Sequence, residues 1–214
     1  IGKSIEYSLN ILPTGKSHLF NNYDIFQGSY ETHSKLLKSN GEILKFSYQE
    51  QKKGNDLLNE FGINDKEYVC IANRDSLYTD SLYPHMLMSH HDFRNSSIFD
   101  LSKAADLLVD RGYYVLRMGS KMSEEFNHER EKVIDYAFHK EKGDFADIFL
   151  MAHCKFAVFP ESGICNIPEI FHRPIVYMNY ASFYWPSWWS ARGIKIFKKF
   201  RSIKTGEILP YKKV

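Results

Sequence analysis

Three features of this sequence predict an α/β fold of Rossmann-like type, a doubly wound parallel sheet covered on both faces. Short apolar runs recur from about residue 68 to 178, helical stripes fall between them, and small or charged residues follow the runs at their C-terminal ends. Strand and helix alternating at this spacing leave room for little besides right-handed crossovers in one sheet.

The elements follow in order. Ile5 to Ile11 reads as a strand, with turn signals at Pro13-Thr14-Gly15 and Asn21-Asn22. Tyr48 to Phe61 reads as a helix, with Leu57, Leu58 and Phe61 as its apolar residues and Gly62 as its C-terminal cap. Tyr68-Val69-Cys70-Ile71-Ala72 is a short continuous apolar run, the signature of a buried parallel strand. Ser97 to Arg111 carries a stripe of Ile98, Leu101, Ala104, Ala105, Leu108 and Val109, closed by Gly112. Tyr113 to Met118 is the next strand and Val133-Ile134-Asp135-Tyr136 a further short one. Asp144 to Ala152 forms an amphipathic helix before the strand Phe156 to Phe159. Ser162-Gly163 opens a helix from Ile164 to Phe171, and Pro174 to Met178 is the strand after it.

Composition narrows the function classes. With 43% hydrophobic and 25% charged residues over 214 positions, the chain has globular composition. Aromatic residues reach 15%, enough for core packing and for ring surfaces facing a sugar or a base. Cys70, Cys154 and Cys165 show neither disulfide-framework nor metal spacing, and no apolar run reaches the ~20 residues of a membrane span. A cytoplasmic protein is expected. From Arg192 onward there are eight basic residues against one acid, leaving twenty basic against twenty-five acidic residues in the body. An acidic body argues against a nucleic-acid partner. A chain that begins at Ile1 and ends on Lys212-Lys213-Val214 is expected to be part of a longer protein.

Ligands of open α/β sheets bind beyond the carboxyl ends of the strands, so the residues just after each apolar run are the site candidates. They are Asn73-Arg74-Asp75, Arg117-Met118-Gly119-Ser120, Asp135-Tyr136 and Pro160-Glu161-Ser162-Gly163. Backbone N–H groups at strand-to-helix turns hold phosphate oxygens, glycine lets them come close, and arginine supplies a charged fork. A diphosphate suits this set. The competing structural reading pairs Arg74 with Asp75 or another surface acid and leaves the glycines to make turns.

Other signals carry less. Gly15-Lys16-Ser17 looks like the end of a P-loop but has Asn10 where the first glycine is required. His85, His90 and His91 near Asp92 lack a metal-protease spacing, and no metal is expected. His153 and Cys154 suggest a nucleophile pair, but adjacent residues diverge on a strand and core roles are expected. Asp80, Asp135 and Glu161 are each general-base candidates, and spacing does not choose among them. Trp185, Trp188 and Trp189 precede Ile194, Ile196, Phe197 and Phe200 interleaved with Lys195, Lys198, Lys199, Arg201 and Lys204. This 185–204 segment suits peripheral contact with an anionic membrane, or packing on a partner domain with its lysines in water.

Several segments together carry a family resemblance: SYQEQKKGNDLLNEFGI, VCIANRDSLY, HDFRN, LLVDRGYYVLRMGS, VIDYA and DIFLMAHCKFAVFPESGICNIPEIFHRPIVYMN. Over residues 48 to 180 the chain resembles a bacterial family of GT-B-type glycosyltransferases distantly similar to the fucosyltransferase-like enzymes, with a weaker echo in IKIFKKFRSIKTGEIL. The resemblance implies a two-domain enzyme that moves a sugar from a nucleotide diphosphate donor to a glycan or lipid-linked acceptor in polysaccharide biosynthesis, without metal or other cofactor. It casts Arg74, beside Asp75, as the catalytic arginine that neutralises the leaving diphosphate. Ser162 and Gly163 become the donor-phosphate turn, with Arg117, Gly119, Ser120, Asp135, Tyr136 and Glu161 as further donor contacts. Where fucosyltransferase-like enzymes often carry a histidine shortly before that arginine, this chain has Ala72-Asn73. The implied divisions are 1–64 as a remnant of, or linker from, an acceptor domain, 65–180 as the nucleotide-sugar domain and 181–214 as an aromatic and basic extension. A non-catalytic nucleotide- or glycan-binding domain is the alternative.

Overall fold

The computed structural model describes residues 44–64, 67–181 and 193–213. The expected strand at Ile5 to Ile11, the Gly15-Lys16-Ser17 turn and the three tryptophans lie outside the described residues.

Six parallel strands form one sheet in the order β3-β2-β1-β4-β5-β6. They are β1 (Tyr68–Ile71), β2 (Tyr114–Arg117), β3 (Val133–Ile134), β4 (Ala157–Pro160), β5 (Ile175–Tyr180) and β6 (Gly193–Phe197). The doubly wound, Rossmann-like sheet predicted from the sequence is therefore present, with its strand order reversing between β1 and β4. Alternation within each strand explains how one sheet serves two cores. Tyr68 and Cys70 of β1 enter one cluster with Leu57, Leu58, Phe149 and Leu150. Val69 and Ile71 enter the other with Ile98, Leu101 and Ala105.

Helices α1 (Tyr48–Glu60) and α4 (Asp144–His153) supply the first cluster. Helix α3 (Ser102–Asp110), preceded by a 3₁₀ turn at Ile98–Leu101, supplies the second. Short helices α2 (Leu77–Leu82) and α5 (Asn166–Ile170) follow β1 and β4. The start of α1 is a full capping box: Glu50 N–H donates to Ser47 Oγ at 3.3 Å and Ser47 N–H to Glu50 Oε2 at 2.7 Å. Gly62 (φ 72°) and Gly112 (φ 94°) then turn the chain out of α1 and α3 in the left-handed region, where a side chain would be strained.

Two features depart from the expected divisions. Helix α1 lies before residue 65, yet Leu57, Leu58 and Phe61 are part of the main core, so the packed unit begins earlier. Residues 193–197, expected to belong to a C-terminal extension, form the sixth strand of the sheet, paired Ile175↔Gly193 through Tyr180↔Phe197. Their Ile-Lys-Ile-Phe order has the period of a strand, and the edge position leaves Ile194 and Ile196 65% and 56% exposed. Lys195 meanwhile rests over the Tyr180 ring at 4.8 Å, a charge on the sheet edge that discourages further pairing.

Helix α1 approaches α4 closely because position 54 has no side chain. A Cβ there would stand 2.1 Å from Phe149 Cζ, and Phe149 is fully buried, stacked on His153 at 4.1 Å. Gly54→Ala is therefore expected to destabilise the fold by roughly 1–3 kcal/mol through overpacking, outweighing alanine's better helix propensity. Thermal unfolding checks this: an unchanged or raised Tm would show that Phe149 yields freely.

Candidate functional site

The strand-order reversal places a cavity of about 520 Å³ at the carboxyl edge of the sheet. Its lining includes Asn73, Arg74 and Asp75 after β1, and Gly119, Ser120, Lys121 and Met122 after β2. Ser162, Gly163, Ile164 and Ile167 after β4 complete one side, and Asp147 and Met151 of α4 another. Arg94 and Tyr78 come from the segment between β1 and α3. Eight of the residues singled out from the sequence thus line it: Asn73, Arg74, Asp75, Met118, Gly119, Ser120, Ser162 and Gly163.

Arg74 is held from both directions. Its Nη1 donates to His91 O at 3.1 Å and to Asn95 Oδ1, while its own carbonyl accepts from Ser96 N–H at 2.9 Å. Burial, and after it the nearby Arg94 guanidinium, lowers its pKa from the ordinary arginine value. Arg94 has a buried Nε with no hydrogen-bond partner among the described residues. Asp92, Asp75 and Asp80 act on Arg74 in the opposite direction, so the two guanidiniums of the cavity stand among carboxylates as well as beside each other. Lys198 Nζ donates to Phe93 O at 2.9 Å and Asn95 O at 2.8 Å, so this lysine of the basic tail braces the loop that carries Arg94.

Asp75, expected beside Arg74 as a catalytic residue, lines the cavity and accepts hydrogen bonds from its own turn and from Ser123. One oxygen accepts from Leu77 N–H at 3.0 Å, and the other from Ser123 N–H at 2.9 Å and Ser123 Oγ–H at 3.0 Å. It pins the 119–123 loop against the end of β1. Lys142 Nζ holds the same loop through Ser120 O and reaches Ala137 O at 2.9 Å.

Arg117 and Asp135 leave the site altogether. Arg117 is fully buried and pairs with Asp135 at 2.9 Å, also donating to Asn73 Oδ1 at 3.2 Å and Glu124 O at 3.0 Å. It ties the ends of β1, β2 and β3 together. Tyr136 is buried too, its hydroxyl accepting from Gly143 N–H at 3.2 Å, and Glu161 stands half-buried outside the cavity lining. His153 packs against Phe149 and contacts Gln51 Oε1 at 3.2 Å, and Cys154 is fully buried. No three His, Cys, Asp or Glu side chains cluster as a metal site among the described residues, and no described helix is long and apolar enough to cross a membrane.

No protein-family model and no curated protein sequence matches this chain. Among solved structures, a glycosyl transferase family 9 structure from Veillonella parvula DSM 2008 superposes with a TM-score of 0.54 at 15% identity. The chain shares its fold with that glycosyl transferase. The alignment covers 74% of this chain and 43% of that one, so the chain spans less than half of the relative's length. A second structure, E. coli ADP-heptose lps heptosyltransferase II, gives a TM-score of 0.49 at 17% identity over 74% and 45% of the two chains.

Arg94, Lys121 and Asp147 line the cavity but were not among the sequence candidates. Arg94 stands in the quoted HDFRN segment, and Asp147 in the first turn of a helix read only for its apolar face. Neither follows a strand, which was the positional signal used to find candidates.

A buried acid outside the cavity adds a pH effect. Glu169 is 4% exposed with Oε1 unpartnered among the described residues, and burial pushes its pKa from the ordinary 4.5 up to about 8, with Lys195 pulling the other way. The folded state keeps a proton that the unfolded chain releases. The stability this carboxyl contributes is thus fully present below pH 4.5 and lost as pH rises toward 8. Glu169→Gln is expected to flatten the fall of Tm across that window; parallel Tm-versus-pH curves for the two proteins would contradict it.

Proposed function

We propose that this cavity binds the diphosphate of a nucleotide-sugar donor and that the protein acts as a glycosyltransferase, passing the sugar to a glycan or lipid-linked acceptor without a metal ion. The observation that carries the reading is the convergence of Arg74 and Arg94 on a cavity at the β1/β4 reversal, joined there by Lys121. As the anomeric carbon–oxygen bond breaks, the diphosphate gains negative charge. Fixed guanidiniums in a site shielded from water stabilise that charge without reorganising, which lowers the barrier more than it tightens ground-state binding. Cations in this role replace the divalent ion that many nucleotide enzymes use. The shared fold with a family 9 glycosyl transferase supports the class of reaction.

In this reading the turn after β4 takes the phosphate oxygens on backbone N–H groups. A Cβ at Gly163 would meet nothing within 4 Å, so the turn is open on that side and a ligand can approach the main chain. Gly163→Ala is accordingly expected to leave Tm nearly unchanged while weakening nucleoside diphosphate binding by roughly tenfold, the cost of one displaced charge-assisted hydrogen bond.

The direct test is a thermal-shift panel of nucleoside diphosphates and nucleotide sugars, with and without EDTA. Selective stabilisation that survives EDTA is the expected result. Absence of any shift, or a shift that EDTA abolishes, would overturn the reading in whole or in its metal-free part.

A further inference from the structure

From Arg74 to Ser97 no residue is buried, so the segment that carries Arg94 to the cavity is held by polar contacts instead of core packing. Arg94 ends a 3₁₀ turn (Ser89–Arg94), a short element with poor hydrogen-bond geometry of its own. The two arginines of the cavity differ in their support. Arg74 has its own anchors in His91 O, Asn95 Oδ1 and the Ser96 N–H. Arg94 Nε is buried with no partner among the described residues, so the guanidinium takes its place from the main chain beneath it. That main chain is gripped from the far side of the sheet. Lys198 is the first residue after β6, and its N–H donates to Tyr180 O at 2.9 Å, which fixes its backbone to the end of β5. Its ammonium donates to Phe93 O at 2.9 Å and Asn95 O at 2.8 Å, the carbonyls on either side of Arg94. Lys198 itself lies outside the cavity lining.

We infer that Lys198 is a positioning residue of the anion site, holding the 93–95 backbone so that Arg94 is in place before an anion arrives. The inference rests on the phosphate reading of the cavity given above, and its new content is that a residue of the sixth strand's end sets the affinity without touching the ligand. An ammonium has three donors and no acceptor, so two carbonyls converging on it restrict the residue between them to one conformation. Without the clamp, the turn would sample many conformations, and binding would have to order Arg94 at its own entropic cost. The freed carbonyls belong to exposed or half-exposed residues and can turn to water. Loss of the lysine therefore acts on local order far more than on global stability.

The experiment is calorimetric titration of inorganic pyrophosphate into the full chain and into Lys198→Met, Lys198→Arg, Arg94→Ala and the Lys198→Met/Arg94→Ala double variant, well below every Tm. Lys198→Met is expected to bind about tenfold more weakly, the scale of coupling within one hydrogen-bond network. Lys198→Arg keeps the charge and the donors and should stay within about threefold of the parent. In the Arg94→Ala background the methionine substitution should change affinity by less than about twofold, because the group it positions is gone. A lysine that only stabilised the fold would move Tm and leave pyrophosphate affinity unchanged. Far-UV circular dichroism controls for folding, and Lys198→Gln repeats the comparison should the methionine variant lose its fold. Parent-like affinity in Lys198→Met, or an equal loss with and without Arg94, would overturn the inference and leave the phosphate reading standing. A parent that binds no pyrophosphate would overturn the inference, and the absence of any shift across the nucleotide panel as well would overturn both.

Discussion

Replacing Arg117 by methionine is expected to remove roughly 3–5 kcal/mol of stability, a large share of what a domain of this kind possesses. The guanidinium is fully buried and bonded to Asp135, Asn73 and Glu124, so its loss strands a nearly buried carboxylate and two oxygen acceptors at once. Only the Phe126 N–H, at 2.6 Å, would still serve the Asp135 carboxylate. A charge left without its partner in a low-dielectric site costs far more than the intact pair ever contributed. Urea denaturation measures the effect. The paired replacement Arg117→Met with Asp135→Leu, which removes both charges, should recover a substantial part of the loss. If the single variant unfolded within about 0.5 kcal/mol of the parent, the staple between strand ends would be unimportant. The same measurement separates this arginine from a ligand contact, since a ligand-binding arginine is commonly lost with little change in stability.

Arg74→Ala is the contrasting case and the largest expected effect on binding. Truncation should weaken nucleoside diphosphate or pyrophosphate binding by about 100-fold, near 3 kcal/mol, because a charge-assisted contact disappears from a partly buried site. Removing the side chain also relieves the repulsion with Arg94 and loosens the His91 and Asn95 tether, so stability should move little. Arg74→Lys keeps the charge without the planar fork and should fall between the two. Titration calorimetry at low and moderate salt checks the series. An Arg74→Ala affinity within threefold of the parent would remove this arginine from the phosphate site and leave Arg94 and Lys121 to carry it.

Much of the site was legible in the sequence because position along a strand is a tertiary statement in a parallel sheet. Once Tyr68–Ile71 and Ala157–Pro160 are strands, the next residues stand at its carboxyl edge, and Arg74, Ser162 and Gly163 arrive together. The same logic misassigned Arg117 and Asp135. Arg117 ends β2 and Asp135 follows β3, but they pair with each other at 2.9 Å with Arg117 fully buried, and neither joins the cavity lining that Gly119 and Ser120 reach. For Asp75 the sequence gives the position but not the partners, since only the folded 119–123 loop provides the Ser123 donors.

The sequence alone determined what depends on local periodicity and chemistry. Apolar runs and helical stripes specified the elements, Ser47 with Glu50 and Gly62 specified the limits of α1, and small residues after strands specified turns a phosphate can approach. Those signals lie within a few residues of one another. Only the tertiary structure decided which charges pair and which stay available, because Arg117 to Asp135, Arg74 to Asn95 and Lys198 to the loop of Arg94 join residues far apart in the chain. It likewise decided that 193–197 closes the sheet, since the partner of an edge strand is chosen by the exposed edge it meets and not by its own alternation.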